Sequence, residues 1–332
     1  MKVSVFTPSH DPKWLDECYE SLIKQTYSDW EWIVLLNNGA EWLNAKADSR
    51  IKIVNSTSQG IGRLKKEACL MCSGDILVEL DHDDRLTSDC LERVVKAFEQ
   101  NPDVGFVYSC TAQIDEDGQR NDSRFNPAMG WTYEDVVKDG QSYLKCNRMY
   151  HYPSTVSYIW FAPNHVRAFR KTIYDQVGGY DENFEVLDDL DMMCKMYQAA
   201  DFYAIDDVLY LQRVHPDNSQ VRPEFNGRIQ VETVELYDRN VQDNAKAWAK
   251  REGLLLLDLG SAHNPTPGYS TTDMHGEVDY PGDIFEVLES LEDNSVGVIR
   301  AVDFLEHIPD KVKLFNEMHR VLAHGGMLLS LT

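Results

Sequence analysis

What the chain lacks narrows the field first. No apolar run approaches the ~20 residues that a membrane-spanning helix requires, so a spanning protein is not expected. The opening residues, Met1 to Thr7, carry no basic stretch ahead of an apolar one, and they read as a strand rather than a secretory signal. Basic residues are scarce: 32 Lys and Arg stand against 55 Asp and Glu, a net charge of −23. Such a surface repels duplex phosphate, which argues against broad nucleic-acid binding. It does not exclude an anionic substrate, because a bound cation inverts the local potential. The seven cysteines are odd in number and scattered, a pattern that suits a reducing compartment. The one CxxC, Cys69 and Cys72, has no second pair nearby and shares a helical face with Leu64 and Ala68, so packing accounts for it. These absences together lead to the expectation of a soluble, cytoplasmic protein whose only membrane role would be peripheral.

What is present is enough for two domains. The chain has 332 residues, 43% of them hydrophobic, against roughly 100–200 residues for a typical domain. Short apolar runs at 3–7, 32–36, 51–54, 76–80 and 104–109 read as strands. Helical patterns lie between them, one carrying Leu15, Cys18, Leu22 and Ile23 on one face, another carrying Leu91, Val94, Val95 and Phe98. Alternation of this kind predicts an α/β fold with a largely parallel sheet. Ligands bind such sheets beyond the carboxyl ends of the strands, which is where Pro8-Ser9-His10, Asn37-Asn38 and Asp81-His82-Asp83-Asp84 fall.

The last of these stretches is the most demanding chemically. Three carboxylates within four residues are costly to hold together unless a cation shares them. Oxygen ligands of this kind suit Mg²⁺ or Mn²⁺, which commonly bridge carboxylates to substrate phosphates. An acidic turn that caps the next helix is the simpler alternative, and it would make Asp84 a helix-start residue. A second acidic stretch, Asp188-Asp189-Leu190-Asp191, opens a helix with Leu190, Met193 and Cys194 facing inward. There the helix dipole alone would favour carboxylates, and a positioned general base is the functional reading. Residues 111–170 are rich in turns and aromatics, Trp131, Tyr143, Trp160 and Phe161 among them, and are assigned mostly to packing under loops.

Taken together, residues 1–220 resemble the inverting, GT-A-type glycosyltransferases of family 2. The resemblance implies a nucleotide-sugar donor, with UDP as its nucleotide, and transfer of a hexose to a hydroxyl acceptor such as a glycan. Pro8 and Ser9 correspond to the nucleotide-binding start. Asp81-His82-Asp83 is similar to the DxD motif, which implies Asp83 as a metal ligand and Asp81 near the ribose. Asp189 falls on the base position, and Gly178-Gly179-Tyr180-Asp181 matches the segment before it. Arg213-Val214-His215 with Ser219 resembles the late segment whose histidine joins metal and diphosphate. Implied donor contacts are therefore Pro8, Ser9, Asn37, Lys65, Asp81 and Arg213, with Asp83 and His215 on Mn²⁺ or Mg²⁺. Two positions depart from the family. Asn37-Asn38-Gly39-Ala40 stands where Asp-Asp-Gly-Ser is usual; an Asn carbonyl still accepts a hydrogen bond from a base but carries no charge. Leu64-Lys65-Lys66 replaces Ala-Arg-Asn, leaving either Arg63 or Lys65 to contact phosphate.

Residues 221–250 read as a connecting helix with Val234, Tyr237, Val241, Ala245 and Trp248 on one side. Residues 251–332 resemble an incomplete class I SAM-dependent methyltransferase domain. This rests on Asp258-Leu259-Gly260 after an apolar strand, Asp273, Leu305-Glu306-His307, and a late Gly325-Gly326. The resemblance implies Asp258, Gly260 and Asp273 as SAM contacts. The loop Gly260-Ser261-Ala262-His263-Asn264-Pro265 lacks the usual second glycine, and about 80 residues are few for a domain, so the chain reads as a fragment of a longer protein. The leading expectation is a metal-dependent glycosyltransferase. A bifunctional glycosyl- and methyltransferase and a non-catalytic sugar-binding scaffold are the alternatives.

Overall fold

The computed structural model describes residues 1–331 apart from Trp160, Ser219, Gln220 and Ala262 and, at Glu224, apart from the side chain. The chain forms two compact units, Met1–Tyr150 with Ile159–Leu236 and His151–Tyr158 with Tyr237–Thr332. The first unit begins with β1 (Val3–Ser9), α1 (Leu15–Ile23), β2 (Trp30–Leu36), β3 (Ile51–Asn55), α2 (Ile61–Leu70) and β4 (Ile76–Glu79). It goes on through β5 (Arg85–Leu86), α3 (Cys90–Gln100), β6 (Val104–Ile114), β7 (Arg120–Asn121), β8 (Tyr133–Lys138) and β9 (Gln141–Cys146). The chain then gives α4 (Pro153–Tyr158) to the second unit. It returns for β10 (Arg167–Arg170), α5 (Lys171–Gln176), α6 (Asp188–Ala199), β11 (Asp201–Arg213) and the first part of α7 (Pro223–Arg251).

The main sheet has the order β3-β2-β1-β4-β10-β6-β11-β5, with β7 and β9 pairing β6 and β8 pairing β9. Strands β3, β2, β1 and β4 are mutually parallel; the near-continuous apolar runs of β2, β1 and β4 are what a strand covered on both faces requires, whereas β3 is a partly exposed edge strand. The sheet is mixed rather than largely parallel. β10 runs antiparallel to both β4 and β6, so its first residue, Arg167, lies at the same edge as the carboxyl ends of β4 and β11. The core packs Leu15, Cys18 and Leu22 of α1 and Leu91, Val94, Val95 and Phe98 of α3 against Val3, Val5, Trp32 and Val78. All seven cysteines are free and buried.

In the second unit β12 (Leu255–Leu259), β13 (Ser270–Asp273), β14 (Tyr280–Pro281), β15 (Val296–Val302) and β16 (Leu322–Leu331) form a parallel sheet of order β14-β13-β12-β15-β16. Helices α8 (Ile284–Ser290) and α9 (Lys311–Val321) supply Leu288, Leu314 and Met318 to its core. Asp283 and Asp310 cap them by accepting from Phe285 N and Lys313 N. The connecting helix is one unbroken element, but its buried side does not follow the expected stripe. Ile229 and Leu236 are buried, then Tyr237, Ala245 and Trp248, whereas Val234 is more than half exposed.

Candidate active site

The carboxyl ends of β1, β2 and β4 are pinned to one another before any ligand is considered. Trp32 Nε1 donates to Thr7 Oγ1 at 2.8 Å, and that hydroxyl donates to Leu80 O at 2.7 Å. Below the loop that follows β4, the Cys18 thiol points at the carbonyls of His82 and Asp84, 3.4 and 3.3 Å away. The acidic stretch is thereby held in a fixed turn, and its carboxylates have separate surroundings.

Asp83 Oδ2 lies 2.8 Å from His215 Nε2 and accepts from Asn218 Nδ2 at 3.2 Å. These partners are some 130 residues away in the chain and arrive on the segment after β11. The Trp14 ring packs on His215, 4.7 Å between centroids. Burial opposes the charge on Asp83, yet the bond from His215 and the nearby His82 hold it below the usual carboxylate range. At Asp81 burial and the charges of Glu79 and Asp83 outweigh Lys65 and Arg167 and push it up to about 7. Asp84 is driven up by burial and by the charges of Asp83 and Asp81. It does not start a helix. Its carboxylate accepts from Arg213 N at 2.6 Å, β5 follows it, and α3 begins only at Cys90.

The residues at this spot fit a divalent cation. A buried carboxylate and an imidazole share one point, which is an O/N donor set suited to Mn²⁺ or Mg²⁺, and the carboxylates around it outnumber the cations the protein supplies. A different group, Glu79, Asp81 and His165, also brings potential ligand atoms within 4.8 Å. There Lys65 and Arg167 already pair with Glu79.

Asp189 occupies the first turn of α6. Leu187, just before the helix, has φ 62°, an uncommon left-handed conformation for a branched side chain. Asp188 is buried, where Lys65 Nζ meets it at 2.7 Å, whereas the side chain of Asp189 is 29% exposed. Asp189 Oδ2 is 2.9 Å from Arg167 Nη2, and Oδ1 accepts from Leu190 N. Burial works against its charge, but Arg167 and Lys65 outweigh that and hold the carboxyl below its ordinary range.

Two of the expected donor contacts, Lys65 and Arg213, are engaged with other groups of the protein. Lys65 is buried between Glu79 (2.8 Å) and Asp188, which leaves its ammonium committed to carboxylates. Arg63, the alternative, is half exposed and pairs with Glu182. Arg213 is 1% exposed. Its guanidinium donates to the carbonyls of Asp83, Asp115 and Glu116 and to Glu17 Oε2 at 2.6 Å. Arg213 braces the acidic turn from behind instead of facing a ligand. Pro8 is buried in register with Leu35, the Ser9 hydroxyl donates to Asp11 O, and Asn37 is buried with its backbone N–H on Ser9 O. Ser219 lies outside the described residues.

Asn218, Glu79 and Arg167 were not singled out from the sequence. Asn218 left no signal beyond its nearness to His215. Glu79 did leave one: it is a lone acid in the run Ile76-Leu77-Val78-Glu79-Leu80, and a buried charge demands a partner.

In the second unit the three residues expected to contact SAM make contacts with their own surroundings. Asp258 is 1% exposed, its carboxylate 3.1 Å from Arg300 Nη1 and accepting from Thr266 N. Gly260, at φ 68°, has the Phe304 ring where a side chain would stand. Asp273 Oδ1 accepts from His275 N. These contacts organise the loop after β12. Ala262 of that loop lies outside the described residues.

The family model for glycosyl transferase family 2 matches residues 4–178. The chain belongs to this family. A second model, for a methyltransferase domain, matches residues 239–330. The O-antigen biosynthesis protein RfbC of Myxococcus xanthus is 28% identical over 208 residues, 60% of this chain and 14% of that protein. The chondroitin synthase of Escherichia coli is 23% identical over 228 residues, 66% of this chain and 30% of that protein. The chain thus spans less than a third of the length of either relative. Residues 1–349 of S. aureus TarS, solved with UDP-GlcNAc, share the fold at a TM-score of 0.54 and 14% identity, covering 75% of this chain and 71% of that one. The family-2 architecture is the GT-A α/β fold, joined in this chain to a methyltransferase-like unit. Among the described residues no helix is long and apolar enough to cross a membrane.

Proposed function

We propose that this glycosyltransferase works by inverting, metal-dependent transfer of a hexose from a UDP-sugar to a hydroxyl of a glycan acceptor. The observation that carries the reading is the meeting of Asp83 with His215 at 2.8 Å, beside carboxylates that burial drives toward protonation. Asp83 and His215 would hold Mn²⁺ or Mg²⁺. Such an ion supplies positive charge to a diphosphate leaving group. Asp81 lies beside this point, toward the donor, with the Pro8-Ser9 and Asn37 strand ends forming the same rim.

Asp189 acts as the base. It is ionised at neutral pH and partly open to solvent, so it can accept the proton of an acceptor hydroxyl. As that oxygen bonds to the anomeric carbon from the face opposite the diphosphate, the carbon–phosphate oxygen bond breaks and the configuration inverts. General-base assistance is worth about 10²–10⁴-fold. A panel of nucleotide-sugars incubated with Mn²⁺, with release of free nucleotide measured, tests the reading. Turnover of a UDP-sugar, abolished by EDTA and lowered at least a hundredfold in Asp189→Asn, is expected. Wild-type turnover by Asp189→Asn would remove Asp189 from the role of base.

A further inference from the structure

Resting on the assignment of Asp189 as the base, we infer that Arg167 is a positioning residue that fixes the Asp189 carboxylate through a buried ionic relay running Asp189–Arg167–Glu79–Lys65–Asp188. Arg167 Nη2 meets Asp189 at 2.9 Å and Nη1 meets Glu79 at 3.6 Å. Glu79 Oε1 takes Lys65 Nζ at 2.8 Å, and Oε2 accepts from the Tyr180 hydroxyl at 2.9 Å. Lys65 closes the relay on Asp188 at 2.7 Å. The chain leaves little freedom here. Arg167 and Glu79 face each other in register on antiparallel β10 and β4, and Asp188 and Asp189 are adjacent at the start of α6.

The relay has a physical purpose that packing alone would not require. Leu187 enters α6 in the left-handed region, a conformation that persists only where the surroundings enforce it. That turn sends Asp188 inward to Lys65 and leaves Asp189 outward on Arg167. One carboxylate anchors the helix start while its neighbour is presented, ionised, to the crevice. Glu79 ends β4, two residues before Asp81, so the strand leading to the donor side and the helix bearing the base are tied by one set of charges. The charged and titratable groups facing Asp189 are Arg167 from β10, Lys65 from α2, Glu79 from β4, Asp188 from its own helix, and His165.

The test reads Asp189 directly. In the full chain with ¹³C-labelled aspartate carboxyls, the resonance lost in Asp189→Asn is assigned to Asp189 and followed against pH, with folding checked by circular dichroism. In Arg167→Met its midpoint should rise by about 1–3 pH units, the influence of an adjacent guanidinium. Should that variant not fold, Arg167→Met/Glu79→Gln removes one cation and one anion together and serves in its place, with a smaller rise expected because Glu79 opposes the Asp189 charge. A wild-type midpoint in the folded variant overturns the relay. The two readings fail separately. An unmoved midpoint alongside an inactive Asp189→Asn sinks the relay and leaves the base. A raised midpoint alongside a fully active Asp189→Asn, with UDP-GlcNAc and Mn²⁺ as the assay, sinks the base and leaves the ion pair.

Discussion

Arg213→Ala distinguishes a brace from a ligand contact. The guanidinium is fully buried and satisfies three carbonyls and one carboxylate. Asp83 O, the most enclosed, would lose a charged donor worth about 1.5–3 kcal/mol. Glu17 is about a third exposed and would rehydrate at little cost. Asp115 O and Glu116 O are partly buried and would admit water into the vacated space. Loss of the stem that packs on Trp14 adds to this. The total, about 3–5 kcal/mol, matches the usual cost of removing one partner of a buried charge pair. A domain of this size loses about 2–4 °C per kcal/mol, so the melting temperature of the first unit should fall by roughly 6–20 °C by circular dichroism. Because Arg213 Nε also holds the carbonyl of Asp83, the proposed metal ligand, Mn²⁺-dependent UDP binding by calorimetry should weaken alongside. A variant that melts like the wild type yet no longer binds UDP would refute the brace and restore Arg213 to the donor.

Further outcomes follow from single contacts. Asp83→Ala should abolish Mn²⁺-dependent UDP binding while leaving the melting temperature within a few degrees; calorimetry with and without EDTA checks this, and unchanged metal-dependent binding would move the cation elsewhere. Glu31 accepts from Ser4, Lys2 and Ser73, and although burial opposes its charge these bonds lower it to about 2. Against an ordinary value near 4.3, at 1.36 kcal/mol per unit, that is about 3 kcal/mol. The contribution is present above pH ~4.3 and lost as pH falls toward 2. Urea unfolding across this window should show a loss about 3 kcal/mol larger in the wild type than in Glu31→Gln, since other depressed carboxylates titrate in both. At Gly62 an added Cβ would stand 2.1 Å from the backbone oxygen of Asp181. Gly62→Ala should therefore destabilise by about 1–3 kcal/mol, measured by the same unfolding, and a neutral result would mean that the 181–184 turn yields freely.

The strand-and-helix alternation was legible because parallel strands covered on both faces are nearly continuous apolar runs, and 3–7, 32–36 and 76–80 are such runs. The antiparallel β10 was not. Arg167-Ala168-Phe169-Arg170 is four residues with charges at both ends, and only its placement between β4 and β6 makes it a strand. The candidate site divides the same way. Residues that must meet a ligand carry distinctive chemistry at strand ends, and Asp83 with His215 could be paired from the resemblance. Residues that hold those ligands use ordinary charges whose direction depends on packing. Lys65 and Arg213 were assigned to the donor because they are cations near phosphate-binding stretches, and both are turned inward onto carboxylates or carbonyls.

Glu79 sharpens the distinction between a donor ligand and its support. A carboxylate in the middle of an apolar strand is unfavourable unless it is paired and hydrogen-bonded, and Glu79 has Lys65, Arg167 and Tyr180 together. Replacing such a cluster by apolar side chains is often neutral or stabilising, so stability alone does not explain its presence. What the cluster adds is orientation: it directs Asp188 inward, holds Asp189 ionised at the edge of the crevice, and does so from the strand that leads to Asp81. The acidic turn after β4 is thus one end of a longer charge arrangement. Its outer members face the proposed donor, and its inner members fix where the proposed base can stand.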